Sequence, residues 1–239
     1  RVRGLNGTTI KSSNPFAFTF PNNSMTFRVT DDVRIDLGDG DDQATVRHLN
    51  LTNAYHNDLS VEMGNGNDVL NLFDIEVERH LTVNGGDGRD DIEIAETTFD
   101  VNLTVNGQSG NDNIEIREVN AETTGNFTLD GGTGHDEIVV DESGTAGSIL
   151  LKGDVGDDGL VVKNSTGLKV TLDGDAGDDR LRLFDSNAFD VNIYGNSGND
   201  SLLSIRNSTL NYRVFLGSGD DTAYHYQVDA FDSHYLNGG

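Results

Sequence analysis

Three features of the 239-residue sequence predict an all-β fold, a single-stranded right-handed parallel β-helix (β-solenoid) of about nine to ten three-sided coils. A Gly-x-Asp corner recurs along nearly the whole chain. Apolar and polar residues alternate on both sides of each corner, the period of a strand with one buried face. No stretch of useful length carries helical periodicity.

Residues 1–32 precede the repeat. Phe16, Phe18 and Phe20 alternate with polar or small residues, and Met25, Phe27 and Val29 do so after the turn-like Pro21-Asn22-Asn23-Ser24. The pattern predicts a pair of capping or assembly strands, with Pro15 and Pro21 blunting a sheet edge.

Residues 33–223 carry the repeat. With the last Asp of each corner at position zero, the copies fall at Asp42, Asp68, Asp90, Asp112, Asp136, Asp158, Asp179, Asp200 and Asp221, spaced 26, 22, 22, 24, 22, 21, 21 and 21 residues apart. Gly stands two residues before every one, from Gly40 to Gly219. An aliphatic residue stands seven before, from Ile35 to Val214, and an aliphatic or aromatic one nine before, from Val33 to Tyr212. An apolar residue stands two after, from Ala44 to Ala223. The template reads strand, tight glycine turn, strand, then a looser third segment. Leucine-rich repeats share this period but need a Leu/Asn ladder that is absent. At a rise of roughly 4.8 Å per coil, the coils predict a rod about 43 Å long before its caps. The longer spacings predict loop insertions at residues 53–58 and 123–126. Residues 224–239 form an aromatic-rich partial coil in which Leu236-Asn237-Gly238 restarts the repeat and echoes Leu5-Asn6-Gly7.

Composition narrows the function. Asp and Glu number 41 against 16 Lys and Arg, a net charge of −25, which excludes a nucleic-acid or anionic-membrane partner. With 34% hydrophobic residues the chain sits near the disordered class unless something neutralises the acid. There are no cysteines, so disulfides and thiolate metal sites are excluded. No apolar run has the length of a membrane span. The start at Arg1, without an initiator Met, suits a processed form or a fragment. Sequons such as Asn102-Leu103-Thr104 are expected by chance in a chain this rich in Asn and Thr.

Stacked coils place the zero-position aspartates in one column about 5 Å apart. Like charges at that distance repel by roughly 1 kcal/mol in water and roughly 3–4 kcal/mol at an effective dielectric near 20. Asp41, Asp157, Asp178 and Asp220 add a second acid beside the first. A hard cation with oxygen ligands relieves this, and Ca²⁺ accepts carboxylates and main-chain carbonyls in flexible geometry where Mg²⁺ demands a strict octahedron. The candidate ligands are the nine zero-position aspartates. To them are added turn carbonyls near Gly85, Gly88, Gly107, Gly110, Gly131, Gly134, Gly153, Gly156, Gly174, Gly177, Gly195 and Gly198. The competing reading is an Asp/Asn ladder that hydrogen-bonds its own turn without metal.

The stretch Gly85-Gly86-Asp87-Gly88-Arg89-Asp90-Asp91-Ile92-Glu93 and its near copy Gly131-Gly132-Thr133-Gly134-His135-Asp136-Glu137-Ile138-Val139 resemble the Gly-Gly-x-Gly-x-Asp-x-apolar-x nonapeptide of RTX (haemolysin-type) calcium-binding repeat proteins. The resemblance implies Ca²⁺ held between successive coils, secretion, and folding on contact with external calcium. It covers roughly residues 33–222, though only the corner third of each coil matches. RTX repeats recur every nine residues with ions on both sides of the roll. One corner per 21–26 residues here implies a wider solenoid with a single ion column of up to about eight Ca²⁺. Leu37, Met63 and Leu216 replace the leading Gly in the first, second and last corners, so sites there are expected to be altered.

These readings converge on a secreted or surface-bound structural β-solenoid. It would build an extracellular matrix, surface layer or end-to-end filament, with adhesion as a further role. Self-association through the ends or the outer face of the C-terminal half is expected, where Val139, Val161, Leu203 and Tyr224 succeed Glu93 and Glu115 in one outward column. The alternatives are a polysaccharide-active β-helix enzyme, lyase- or epimerase-like, and a glycan-binding module. Arg182, Arg206 and Asp185 on neighbouring coils are the enzyme candidates, but no catalytic triad, carboxylate pair or nucleophile motif supports them. Thr82, Thr104, Thr128 and Thr171 share a column, but Leu150 and an Asn/Asp neighbour column break the double Thr ladder of an ice-binding face.

Overall fold

The computed structural model describes residues 2–3, 9–12, 32–51, 57–121 and 123–237. They wind into a parallel β-solenoid of about nine turns, with no helix among them. The strands entering the corners form an eleven-stranded sheet in which only Thr9–Ser12 runs antiparallel. Those leaving the corners form a second ladder from Gln43–Leu51 to Thr222–Tyr226. Register follows the repeat frame residue for residue. Val83, Val105, Leu129 and Leu151 stand opposite one another in the entry sheet. Ile92, Ile114, Ile138 and Leu160 do so in the exit sheet. A slip of one residue would turn every one of these side chains out of the core, so the alternation itself locks the register.

Val2–Arg3 and Thr9–Ser12 pair antiparallel with the exit and entry strands of the first coil. The alternating segments expected around Phe16, Phe18, Phe20 and around Met25, Phe27, Val29 lie outside the described residues, as do residues 52–56 and 238–239. Of the second expected insertion, residues 123–125 are irregular, while Asn126 already pairs with Asn102.

A third, shorter ladder completes each coil. Asn50–Leu51 stands against Glu76–Val77, which stands against Thr98–Phe99, and that against Asn120–Ala121. The ladder continues through Gly144, Thr166, Asn187, Ser208 and Asp229. The chain reaches it through a second corner, six residues after each zero-position Asp. There His48, Asp74, Glu96, Glu118, Glu142, Asn164, Asp185, Arg206 and Gln227 all adopt φ of 47–55°. This is the left-handed conformation, which costs a non-glycine residue free energy and is held here by the parallel ladders on either side.

In the C-terminal half the next residue points inward and forms a polar ladder, while Ile75 and Val119 join the apolar core in the same column. Ser143 Oγ accepts the Val119 N–H at 3.1 Å, Ser165 Oγ that of Ser143 at 3.2 Å, Ser186 Oγ that of Ser165 at 3.2 Å, and Asn207 Oδ1 that of Ser186 at 3.0 Å. Each Ser hydroxyl donates in turn to the carbonyl two residues before it. The remaining interior is aliphatic, with Phe99 and Phe127 in tilted contact at 5.4 Å. Of the outward apolar residues, Val161 is 8% exposed whereas Tyr224 is 58% exposed, and Tyr194 stacks on Phe215 at 5.5 Å.

The Ser165→Ala substitution would leave the buried Ser143 N–H without an acceptor. It is expected to cost about 1–3 kcal/mol in urea unfolding, against within about 0.5 kcal/mol for the exposed Lys169→Ala. Equal midpoints for the two variants would remove the ladder from the account of stability.

Candidate functional site

The Gly-x-Asp corner is built from unusual backbone. All nine glycines two before the Asp have φ between 110° and 145°, a region closed to L side chains. A Cβ there would also run into the carbonyl of the preceding coil's equivalent glycine at every corner but the first. Four residues before the Asp the backbone has positive φ again. Gly occupies that place at Gly38, Gly64, Gly86, Gly132 and Gly217, while Gln108, Asp154, Asp175 and Asn196 hold it at φ 67–79°. The apparently worn repeats therefore keep the backbone of the full motif, because amide and acid side chains tolerate this conformation.

Each zero-position Asp turns inward, and all but Asp221 are almost fully buried. From Asp68 to Asp221, the Oδ1 of each accepts the backbone N–H of its counterpart one coil earlier. The column runs unbroken from Asp42 N–H to Asp68 at 2.7 Å through to Asp200 N–H to Asp221 at 2.9 Å. The residue just before it points outward and does the reverse, accepting from the following coil. Asn67 N–H donates to Asp41, His135 N–H to Asn111, Asp157 N–H to His135 Nδ1, Asp178 N–H to Asp157, and Asn199 N–H to Asp178, at 2.7–3.0 Å. Two hydrogen-bond ladders of opposite polarity thus run along one corner. The outer one explains the second acid of each doublet and places His135 as an Asx substitute; neither follows from charge counting.

The inner ladder leaves a residue of unsatisfied chemistry. The Oδ2 of all nine aspartates is buried and has no hydrogen-bond partner among the described residues. In six consecutive corners, Gly85, Gly107, Gly131, Gly153, Gly174 and Gly195 leave the space beside that oxygen open, since a Cβ would collide with it. The same space is approached by the carbonyl of the next coil's glycine, 2.7 Å from the position of a Gly85 Cβ in the case of Gly107. Leu37, Met63 and Leu216 fill the corresponding place in the other corners and are buried. The carbonyls of Gly88, Gly110, Gly134, Gly156 and Gly177 instead occupy the place that a Cβ on the next coil's glycine would take. It is at the leading set that a missing Cβ leaves room beside the orphaned oxygens. Among the described residues no three His, Cys, Asp or Glu side chains converge on one point. Any cation would therefore draw on a row of single carboxylates and carbonyls.

Burial pushes these carboxyls up, to about 6 at Asp68 and Asp136 and about 7 at Asp112 and Asp179, and neighbouring aspartates in the column add to the shift. Asp178 on the outer ladder, hydrogen-bonded by Asn199 in water, is held below the usual carboxylate range. The other chemical candidates separate. Arg206 makes a two-pronged ion pair with Asp185 at the second corner, while Arg182 lies on the exit-sheet face. His225 meets the buried Tyr212 hydroxyl at 3.0 Å at the end of the core.

Raised folded-state pKa values mean that protonation favours the fold. Without metal, stability is expected to be fully present below about pH 4 and to be lost as the pH rises through about 6 to 7. Thermal melts in chelator should show a higher midpoint at about pH 5 than at about pH 8; a midpoint that climbs with pH would mean that the column is not buried and charged. The geometry is the whole basis of the assignment, for no family model, curated protein or solved structure matches this chain.

Proposed function

We propose that this chain is a secreted structural β-solenoid, a building block of an extracellular matrix, surface layer or end-to-end filament, stiffened by Ca²⁺ along one corner. The observation that carries the reading is the unbroken column of nine buried Oδ2 atoms without partners. An ionised carboxylate in that position is costly unless it is paired. The column offers only oxygen donors, and Ca²⁺ takes six to eight of these in flexible geometry. Asp90, Asp112, Asp136, Asp158, Asp179 and Asp200, with the carbonyls of Gly107, Gly131 and Gly174 that face them, are the residues that would hold it. Six glycine-lined corners leave five gaps between them, fewer than a full column would allow. When bound, the ion supplies positive charge and further coordination. The chain's own residues set the coil spacing and exclude alternatives through their hydrogen bonds. Calcium-coupled folding suits a chain of net charge −25, whose self-repulsion a bound cation relieves.

A second reading has its own support. With Oδ1 already bonded to backbone and no three-side-chain cluster among the described residues, the column could be neutralised by protons alone. The Asp112→Asn variant separates the two. It keeps the acceptor for the Asp90 N–H and removes one buried charge. In chelator at about pH 8 it should be more stable than the wild type by about 1–3 kcal/mol. With millimolar Ca²⁺ present the order should reverse, because a ligand oxygen is gone. A Ca²⁺ titration followed by circular dichroism that leaves both proteins unchanged would overturn the calcium reading and leave the proton ladder.

A further inference from the structure

The outer face of the exit sheet changes character along the rod. From Asp91–Ala95 to Thr222–Tyr226 each exit strand has five residues and turns the first, third and fifth outward. Toward one end of this face, Asp91, Glu93 and Glu115 stand against Arg117, which reaches both glutamates. Toward the other, Arg180 and Arg182 are exposed on one strand and make no ion pair among the described residues. Arg34, Arg79, Arg206 and Arg213, on other faces, each lie against a carboxylate. Phe184, Leu203, Ile205, Tyr224 and Tyr226 flank the two free arginines in an apolar patch, with Tyr226 51% exposed. Between the two ends, Val139 and Val161 stand in register, and Lys163 pairs with Asp141 at 3.1 Å.

A face that is acidic at one end and basic and aromatic at the other complements itself when turned end for end. Consider a two-fold axis parallel to the strands and midway between the coils of Val139 and Val161. It keeps each outward column opposite itself and reverses the order of the coils. Lys163 of one copy then meets Asp141 of the second, Val161 meets Val139, and Arg182 meets Glu115. Tyr226 meets Phe73, beside the Arg47 guanidinium that lies 5.2 Å from that ring. Phe184 faces Arg117, an arrangement of ring and guanidinium that is itself attractive. Leu203 faces Glu93, whose carboxylate is drawn aside to Arg117. Each contact is made twice. The parallel arrangement, with the axis along the rod, sets Arg182 on Arg182 and Glu93 on Glu93, and like charges oppose it. A partner of a single charge sign would meet its own sign on half of this face.

The size also fits. Eight exit strands take part, from Val69–Val77 to Thr222–Tyr226. At strand and coil spacings they cover about 17 Å by about 38 Å, roughly 1,300 Å² over both copies, which lies within the range of specific interfaces. Aromatic and guanidinium groups, which carry much of the energy of such contacts, lie inside it.

We infer that two copies of this chain pack exit sheet on exit sheet, antiparallel, about a two-fold axis between the coils of Val139 and Val161. The pair gives the proposed building block a lateral contact. Its role rests on that reading, while the contact itself requires only folded coils.

The test is sedimentation equilibrium of the full chain over a wide micromolar range. It is run in millimolar Ca²⁺ and again in chelator at about pH 5, where protons on the aspartate column favour the fold. Twice the chain mass is expected, falling to the monomer on dilution. Arg182→Glu and Glu115→Arg should each weaken association by roughly tenfold or more, since each sets a like pair across the axis twice. Both exchanges in one chain should restore it, and melting curves would verify that every variant folds. A chain that stays monomeric, a dimer indifferent to the single exchanges, or a double exchange no better than the singles would each overturn the inference. Arg182 and Glu115 belong to neither ladder of the corner. A chain without a Ca²⁺ response in circular dichroism would therefore sink the metal column and leave the dimer standing, and a calcium-responsive monomer would do the reverse.

Discussion

The structure depends on how a column of carboxylates is kept inside a corner. Nine aspartates, one per coil, point inward at a separation set by strand pairing, and the solvent that would screen them is excluded from all but the last. Along the column, one oxygen of each goes to the backbone of its neighbour, which holds the coils in register but uses only half of the acceptor capacity. The other oxygen makes the corner conditional. It requires a proton or a cation, and the raised pKa values at Asp112 and Asp179 are the thermodynamic expression of that requirement. Hydrophobic columns alone would build a solenoid that stands under any conditions. The aspartates tie this one to its ionic surroundings.

The Gly-x-Asp corner is a solution to several simultaneous constraints. The backbone must reverse within a few residues while each coil lies flat on the next. The glycine two before the Asp meets both demands, since its φ and its contact with the carbonyl below each exclude a side chain. The leading glycine meets a third, leaving a slot for Oδ2. The two residues after the turn then divide the labour, one laddering forward on the outside and one backward on the inside. Because the two ladders oppose each other in polarity, sliding or tilting a coil breaks bonds in both. The corner is therefore stiffer than the third side, where pairing dwindles to one residue at Gly144.

Much of this was legible in the sequence because two periodicities coincide there. Strand alternation fixes which residues face in, and the coil repeat stacks them. Val83, Val105, Leu129 and Leu151 therefore align by counting alone, and they stand opposite one another in the entry sheet. The aspartate column was legible for the same reason. The second corner was not. Its residues share a conformation and not a chemistry: His48, Glu118, Asn164 and Arg206 have nothing in common except positive φ. The serine ladder was hidden likewise, since Thr97 and Val119 occupy the same column and interrupt the pattern. The role of the second acid was not legible from charge either. Asp157 and Asp178 count in a sequence only as added negative charge, yet they face water and accept a backbone N–H each.

The ends of the column differ from its middle in what surrounds the unpartnered oxygens. Leu37 and Met63 at one end and Leu216 at the other take the place that glycine holds in between, and all are buried. Their side chains close the slot on both flanks of the six glycine-lined corners, so the open space is an interior segment and not a channel running out of the rod. In the middle the space beside Oδ2 is approached by a glycine carbonyl of the next coil, whereas at Asp42, Asp68 and Asp221 the leading position is filled by hydrocarbon. Nearest-neighbour coupling in a stacked repeat then makes the central coils the ones that gain most from neutralisation, while the ends hold through packing. Apolar side chains thus flank the six glycine-lined slots, and under the proposed calcium reading the condition for folding would sit in the central coils.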